Sequence, residues 1–148
     1  VAIVSRLAEI VKLTRLLYKI HMETKNNVHF SSITDHWSTP SSIYDLLDKE
    51  FEFNDDPCPL HGKNGLDREW GSSVFVNPPY SDLKTWLKKG FYESQKGKTI
   101  VFLIPSRTDT KAWHDYVMKA KEIRFIKGRL KFGNSKNSAP FPSAIVIF

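Results

Sequence analysis

The sequence predicts a single α/β domain with a mostly parallel sheet and an antiparallel last strand. Three observations carry that expectation. Short apolar runs alternate with stretches of helical spacing in the order strand–helix–strand–helix–strand, which favours parallel strands joined by crossover helices. One run, at residues 99–104, is continuously apolar, as a central strand covered on both faces requires. No helical pattern separates the last two candidate strands, so they read as a hairpin. A chain of 148 residues suits one domain with a real core. Residues 1–35 read as an N-terminal helix and linker, and residues 36–148 as the domain.

The elements follow in order. Over residues 1–22, Arg6, Glu9, Lys12, Arg15 and Lys19 alternate with Ile3, Leu7, Ile10, Leu13, Leu17 and Ile20, the pattern of one amphipathic helix. Its apolar stripe either packs on the domain or buries itself against a second copy, which would make a homodimer. Charges interrupt it too often for a signal peptide. Residues 23–35 are polar and read as a connecting loop. Pro40 fits the first turn of a helix running to about Lys49, and Thr39 can cap it. Residues 51–55 alternate and read as a strand, which ends at Asp56-Pro57-Cys58-Pro59. A strand at 74–76, a helix at 82–94, the strand at 99–104, a helix at 110–120 and strands at 123–126 and 144–148 complete the domain.

Composition narrows the function. Hydrophobic residues make up 41% and aromatics 13%, the balance of a globular chain. Lysine and arginine total 22 against 16 acidic residues, a net +6 that favours a polyanionic partner. The single cysteine, Cys58, excludes an internal disulfide and fits a reducing compartment. No apolar run approaches about 20 residues, so no membrane span is expected. Cys58-x-x-His61 is half of a zinc spacing with no second pair, so no metal is expected. His21, His36 and His114 are scattered and read as surface or satisfied groups.

The chemistry concentrates at Val74-Phe75-Val76-Asn77-Pro78-Pro79-Tyr80. Branched and aromatic residues make a short buried strand, and two prolines end it because neither can donate to a neighbouring strand. A planar amide, a stiff turn and an aromatic ring then stand at the carboxyl end of a strand, where open α/β sheets bind ligands. That set suits methylation of an exocyclic amine. The lone pair of such an amine is delocalised into its ring. The Asn77 oxygen can accept one of its N–H bonds and the Pro78 carbonyl the other, pushing the nitrogen toward tetrahedral geometry. Tyr80 can stack on the ring. The same set suits any planar amine or amide, so an RNA base, a protein glutamine, or a non-catalytic nucleic-acid-binding remnant stays open.

A wider set of motifs surrounds it: Trp37-x-Thr39-Pro40, Asp56-Pro57, Gly65-Leu66-x-x-x-Trp70-Gly71, Trp86, Leu103-x-Pro105-x-Arg107, Gly128-Arg129-Leu130-x-Phe132 and Ala139-Pro140-Phe141-x-Ser143. Together they resemble the phage-type DNA adenine methyltransferases of the Dam group over residues 36–148. The resemblance implies a compact Rossmann-like fold, S-adenosylmethionine as cofactor, methylation of the 6-amino group of adenine in double-stranded DNA, and a cytoplasmic location, in the bacterial host if phage-encoded. It implies that Asn77, Pro78, Pro79 and Tyr80 are catalytic. Thr39 and Pro40 match the segment that closes over the cofactor's methionine end, and Trp37 beside them joins the cofactor set. Asp56, Pro57 and Cys58 match the start of the cofactor loop. Asn64 falls where the family usually has Asp. This chain lacks a Gly-x-Gly loop after Asp56, and the span from Cys58 to Val74 is short for the elements that normally complete the cofactor half, so a reduced sheet is expected.

A base inside a duplex must be flipped out, which needs a stacking surface and phosphate contacts. Tyr80 supplies one face of the slot. Phe132 or Phe141 supplies the other, unless core packing claims them. Arg107, Lys127, Arg129 and Lys131 lie at or near strand ends and suit phosphates. Lys88, Lys89 and Lys96 read as the solvated side of a helix.

Overall fold

The computed structural model describes residues 38–59 and 65–148. The helix expected over 1–22, the homodimer it would carry, the loop at 23–35, Trp37, His61 and Asn64 lie outside the described residues. Four strands form one sheet in the order β1-β2-β4-β3: β1 (Ser73–Val76), β2 (Thr99–Pro105), β3 (Glu122–Phe125) and β4 (Ser143–Ile147). Strands β1 and β2 are parallel, with Val76 opposite Phe102. Strand β4 runs antiparallel to β2, with Ser143 opposite Pro105, and antiparallel to β3, with Ala144 opposite Phe125.

The sheet is therefore mixed, not mostly parallel. The antiparallel last strand is present, but it lies inside the sheet and makes both of its ladders antiparallel. The reason is burial. Every residue of β4 is buried, as an inner strand requires, whereas β3 carries Glu122, Arg124 and an exposed Phe125, which suit an edge. Because β4 opposes both neighbours and β1 pairs parallel to β2, β1, β2 and β3 all run one way. Their carboxyl ends share one edge of the sheet.

Both faces are covered, with residues alternating between them. On one face Val74, Ile100, Phe102 and Val146 pack against Trp86 and Leu87 of α2 (Leu83–Ser94) and Trp113 of α3 (Lys111–Asp115). Gly90 of α2 sits so close to the sheet that a Cβ there would lie 2.3 Å from the Phe102 ring. On the other face Phe75, Val101, Leu103 and Ile145 meet Ile43 and Leu47 of α1 (Ser41–Phe51), and Leu130, Phe132 and Ala139 of the β3–β4 connection. Each buried Val, Leu, Ile or Phe among them contributes about 1.5–3 kcal/mol by leaving water.

Three elements depart from the sequence pattern. Helix α1 runs through Phe51 and ends at Glu52 in a left-handed conformation, closed by Asp48, whose backbone and side-chain oxygens accept from Glu52 N and Phe53 N. The strand expected at 51–55 shrinks to a single parallel bridge between Asp55 and Val74. The helix expected at 110–120 breaks at Tyr116 into α3 and a 3-10 turn, Val117–Lys119. Tyr116 and Val117 are weak helix formers, and burial of Val117 takes precedence over helical geometry. Pro40 is itself the N-cap of α1, and Thr39 makes no cap bond.

Two ion clusters tie helices to strands. Arg124 of β3 reaches both Glu50 oxygens at 2.7 and 2.6 Å, pairs with Glu122 at 2.6 Å and lies over the Phe51 ring, fixing the end of α1 to the sheet edge. Glu93 of α2 is buried yet ringed by Lys98 at 2.6 Å, Lys89 at 3.1 Å and Lys96 at 3.3 Å. Of the lysines read as solvated, Lys88 and Lys96 are exposed and Lys89 is half-buried. Burial opposes the Glu93 charge, but hydrogen bonds from the three lysines outweigh it and bring the carboxyl down to about 2.

Glu93→Gln is expected to lower stability at pH 7 by about 2 kcal/mol in urea unfolding. The folded-state pKa of Glu93 is depressed, so the wild-type advantage is complete above about pH 5 and fades as pH falls toward 2. A difference that stays constant across that window would contradict the lysine ring as its source.

Candidate active site at the carboxyl edge of the sheet

Strand β1 delivers Asn77 to the shared carboxyl edge, and Pro78 and Pro79 turn the chain into a 3-10 turn, Tyr80–Asp82, closed by Asp82 N on the Pro79 carbonyl at 3.2 Å. Neither proline can extend the β1 ladder, so the strand stops where the amide begins. The Asn77 Nδ2 donates to the Thr39 hydroxyl at 2.9 Å, and the Tyr80 hydroxyl donates to Asn77 Oδ1 at 3.2 Å. Thr39 is itself placed by its neighbours. The Ser38 carbonyl accepts from Gly133 N at 3.0 Å, and the Pro40 carbonyl receives Ile43 N and Tyr44 N of α1. Burial raises the Tyr80 phenol further above its usual range, so it stays a protonated donor.

Tyr80 also anchors an aromatic cluster. Its ring meets Phe141 edge-on at 5.3 Å and Phe132 at 6.3 Å. Phe132 is 2% exposed and belongs to the core, whereas Phe141 is half-buried. Of the two rings considered as a stacking wall, Phe132 supports Tyr80 from within and Phe141 lies nearer the surface.

The Asp55-Asp56-Pro57-Cys58 segment reaches the same edge beside β1. Its two carboxylates live in opposite environments. Asp55 takes both Arg68 nitrogens at 2.7 Å and Gly71 N at 2.8 Å, and the Arg68 hydrogen bonds lead in holding its pKa below the usual range. Asp56 is half-buried, accepts from Cys58 N at 2.9 Å, and pairs with no cation among the described residues. Burial pushes its pKa up. Burial, then the charge of Asp56, pushes the Cys58 thiol up to about 12, so it carries no thiolate near neutrality.

The Gly65-Leu66-x-x-x-Trp70-Gly71 motif is the stitching of this segment. Gly65 N donates to the Pro57 carbonyl at 3.0 Å, Trp70 Nε1 donates to the Gly65 carbonyl at 2.8 Å, and Gly71 N reaches Asp55. A Cβ at Gly65 would lie 2.3 Å from Pro57, which accounts for glycine there. Arg68, unremarked in the sequence, is the partner that makes Asp55 structural. Its separation of 13 residues falls in no helical or strand period. The Thr39–Asn77 bond, spanning 38 residues, left no sequence signal either.

Arg107 follows β2, and Lys127, Arg129 and Lys131 follow β3, so parallel strand directions bring all four to the edge that carries Asn77. All are exposed, and Arg107, Arg129 and Lys131 pair with no carboxylate among the described residues. An open depression lined by Asn54, Arg68, Ser72 and Lys98 lies at the other end of β1 and contains none of the catalytic candidates. Among the described residues no helix is long and apolar enough to cross a membrane, and no cluster of three or more His, Cys, Asp or Glu could hold a metal.

The contrast between the two aspartates has a measurable consequence. Asp55→Asn is expected to lower stability by about 1.5–3 kcal/mol, the loss of a charged, bidentate pair. Asp56 has a raised folded-state pKa, so its ionised form weakens the fold as pH rises through that pKa. Asp56→Asn is therefore expected to be neutral or stabilising at pH 7 in thermal unfolding. Equal losses from the two variants would contradict this assignment.

A family model for Dam, described as DNA N-6-adenine-methyltransferase, matches residues 26–145. Comparison with curated proteins and with solved structures gave no match. The matched span begins inside the stretch read as a connecting loop and runs into β4, so it contains Thr39, Asp56, the Asn77–Tyr80 turn and the basic residues of the carboxyl edge. The chain belongs to the Dam family of DNA N-6-adenine-methyltransferases.

Proposed function

We propose that this chain transfers a methyl group from S-adenosylmethionine to the 6-amino group of adenine in double-stranded DNA. The observation that carries the reading is the Asn77 amide, held between two hydroxyls at the carboxyl end of β1 and inside the span matched to Dam.

The residues at hand suit the cofactor. A half-buried carboxylate with no paired cation, such as Asp56, is stabilised by hydroxyl or ammonium donors. Asp56, Pro57, Cys58, Thr39 and Pro40 would hold it, with Trp37 and Asn64. When bound, S-adenosylmethionine supplies a methyl group on a positive sulfonium, a good leaving group. No nucleophilic side chain is then needed, which agrees with a protonated Cys58.

The chain's own residues position the amine. Asn77 Oδ1 exchanges the Tyr80 hydroxyl for one amine N–H, and the Pro78 carbonyl, fixed by the following proline, accepts the other. Two acceptors draw the nitrogen out of conjugation with its ring. The Tyr80 ring lies against the flipped base, backed by Phe132, and Phe141 forms the second wall. Arg107, Lys127, Arg129 and Lys131 bind backbone phosphates and fix the duplex on this edge without reading its sequence. Catalysis is then mostly positioning and electrostatics.

Asn77→Ala is expected to cut labelled methyl transfer to unmethylated duplex DNA by on the order of 10³-fold, while calorimetry shows S-adenosylmethionine binding largely intact. Survival of activity in that variant would overturn the role of Asn77. Asp56→Ala is expected to weaken cofactor binding, and a wild-type chain that binds no cofactor at millimolar concentration would favour a nucleic-acid-binding remnant.

A further inference from the structure

We infer that Thr39 is a positioning residue that sets which way the Asn77 amide faces. The inference rests on the proposed role of Asn77. An asparagine amide has an acceptor end and a donor end, and only the acceptor can take an amine N–H. A half-turn of the side chain would present NH₂ to the target amine, donor against donor. Something must hold the productive orientation. In this structure Nδ2 lies 2.9 Å from the Thr39 hydroxyl and Oδ1 lies 3.2 Å from the Tyr80 hydroxyl. An aliphatic hydroxyl is the better acceptor and a phenol the better donor, so this arrangement is favoured over its flipped form.

The two bonds have different duties. The Tyr80 bond is the longer, and it occupies the oxygen that the amine needs, so it is given up when the base enters. The Thr39 bond is on the far end of the amide and survives that exchange. It can do so because Thr39 does not depend on the base for its own place. Ser38 before it is held by Gly133, and Pro40 after it caps α1, whose far end is fixed by the Arg124–Glu50 pair. Thr39 itself caps nothing, which leaves its hydroxyl for Asn77. The segment that the family resemblance assigns to the cofactor thus also orients the catalytic amide.

The test uses the full chain with Thr39→Val, which keeps the shape and loses the hydroxyl, and Thr39→Ser, which restores the hydroxyl. Nitrogen-edited NMR of the Asn77 side-chain NH₂ reads the bond without any turnover. Its signals are expected to shift, and its protons to exchange faster, in Thr39→Val, and to return toward wild type in Thr39→Ser. With duplex DNA and saturating S-adenosylmethionine, kcat is expected to fall by about 10- to 100-fold in Thr39→Val, with KM for DNA unchanged, and Thr39→Ser to recover most of it. Unchanged Asn77 signals in Thr39→Val would overturn the inference. So would a loss confined to cofactor affinity, or a Thr39→Ser variant as poor as Thr39→Val. If the wild type transfers no methyl group, the proposed function fails, and the Asn77 signals still decide this inference.

Discussion

Strand β4 pairs along its length with β2 on one side and β3 on the other, running against both. That placement makes β2 and β3 run one way, and β1 joins them by pairing parallel to β2. The candidate residues of the site then collect at one edge. Asn77 arrives at the end of β1, Arg107 after β2, and Lys127, Arg129 and Lys131 after β3. The connection that brings the chain back to β4 must cross this edge, and it does so by burying Leu130, Phe132 and Ala139. In crossing, it sets Phe132 and Phe141 against Tyr80 and ties Gly133 to Ser38.

The edge also sorts polar groups by environment. Asp55 and Asp56 are adjacent in sequence, and their pKa values move in opposite directions because hydrogen bonds from Arg68 and Gly71 reach only the first, while burial dominates at the second. The first stitches the loop to β1. The second accepts from Cys58 N and pairs with no cation among the described residues. Tyr80 and Cys58 are both kept protonated by burial, so one serves as a donor and the other is excluded as a nucleophile. On the proposed reading, the site would work through an amide, a backbone carbonyl, aromatic rings and cations.

Much of the fold was legible where burial alone decides structure. The four strand positions follow from apolar runs, and α2 follows from Trp86, Leu87 and their helical spacing. What the sequence hid depends on partners far along the chain. Strand order was hidden because hydrophobic runs do not say which neighbour they pair with. Alternation at residues 51–55 mimicked a strand, but Asp48 closes α1 past Phe51 and leaves only Asp55 to pair. Thr39 before Pro40 has the look of a helix cap, yet its hydroxyl goes to Asn77. The Asn77-Pro78-Pro79-Tyr80 turn was readable because its chemistry is local. The bonds that orient it are not local, apart from that of Tyr80.

The central claim is that this edge presents the 6-amino group of adenine for methylation. The most direct measurement supplies the protein with methyl-labelled S-adenosylmethionine and unmethylated duplex DNA, digests the product to nucleosides and asks where the label lies. The account predicts label on N6-methyldeoxyadenosine, dependent on Asn77. Label on another base, or transfer only to RNA or to protein glutamine offered in parallel, would contradict it.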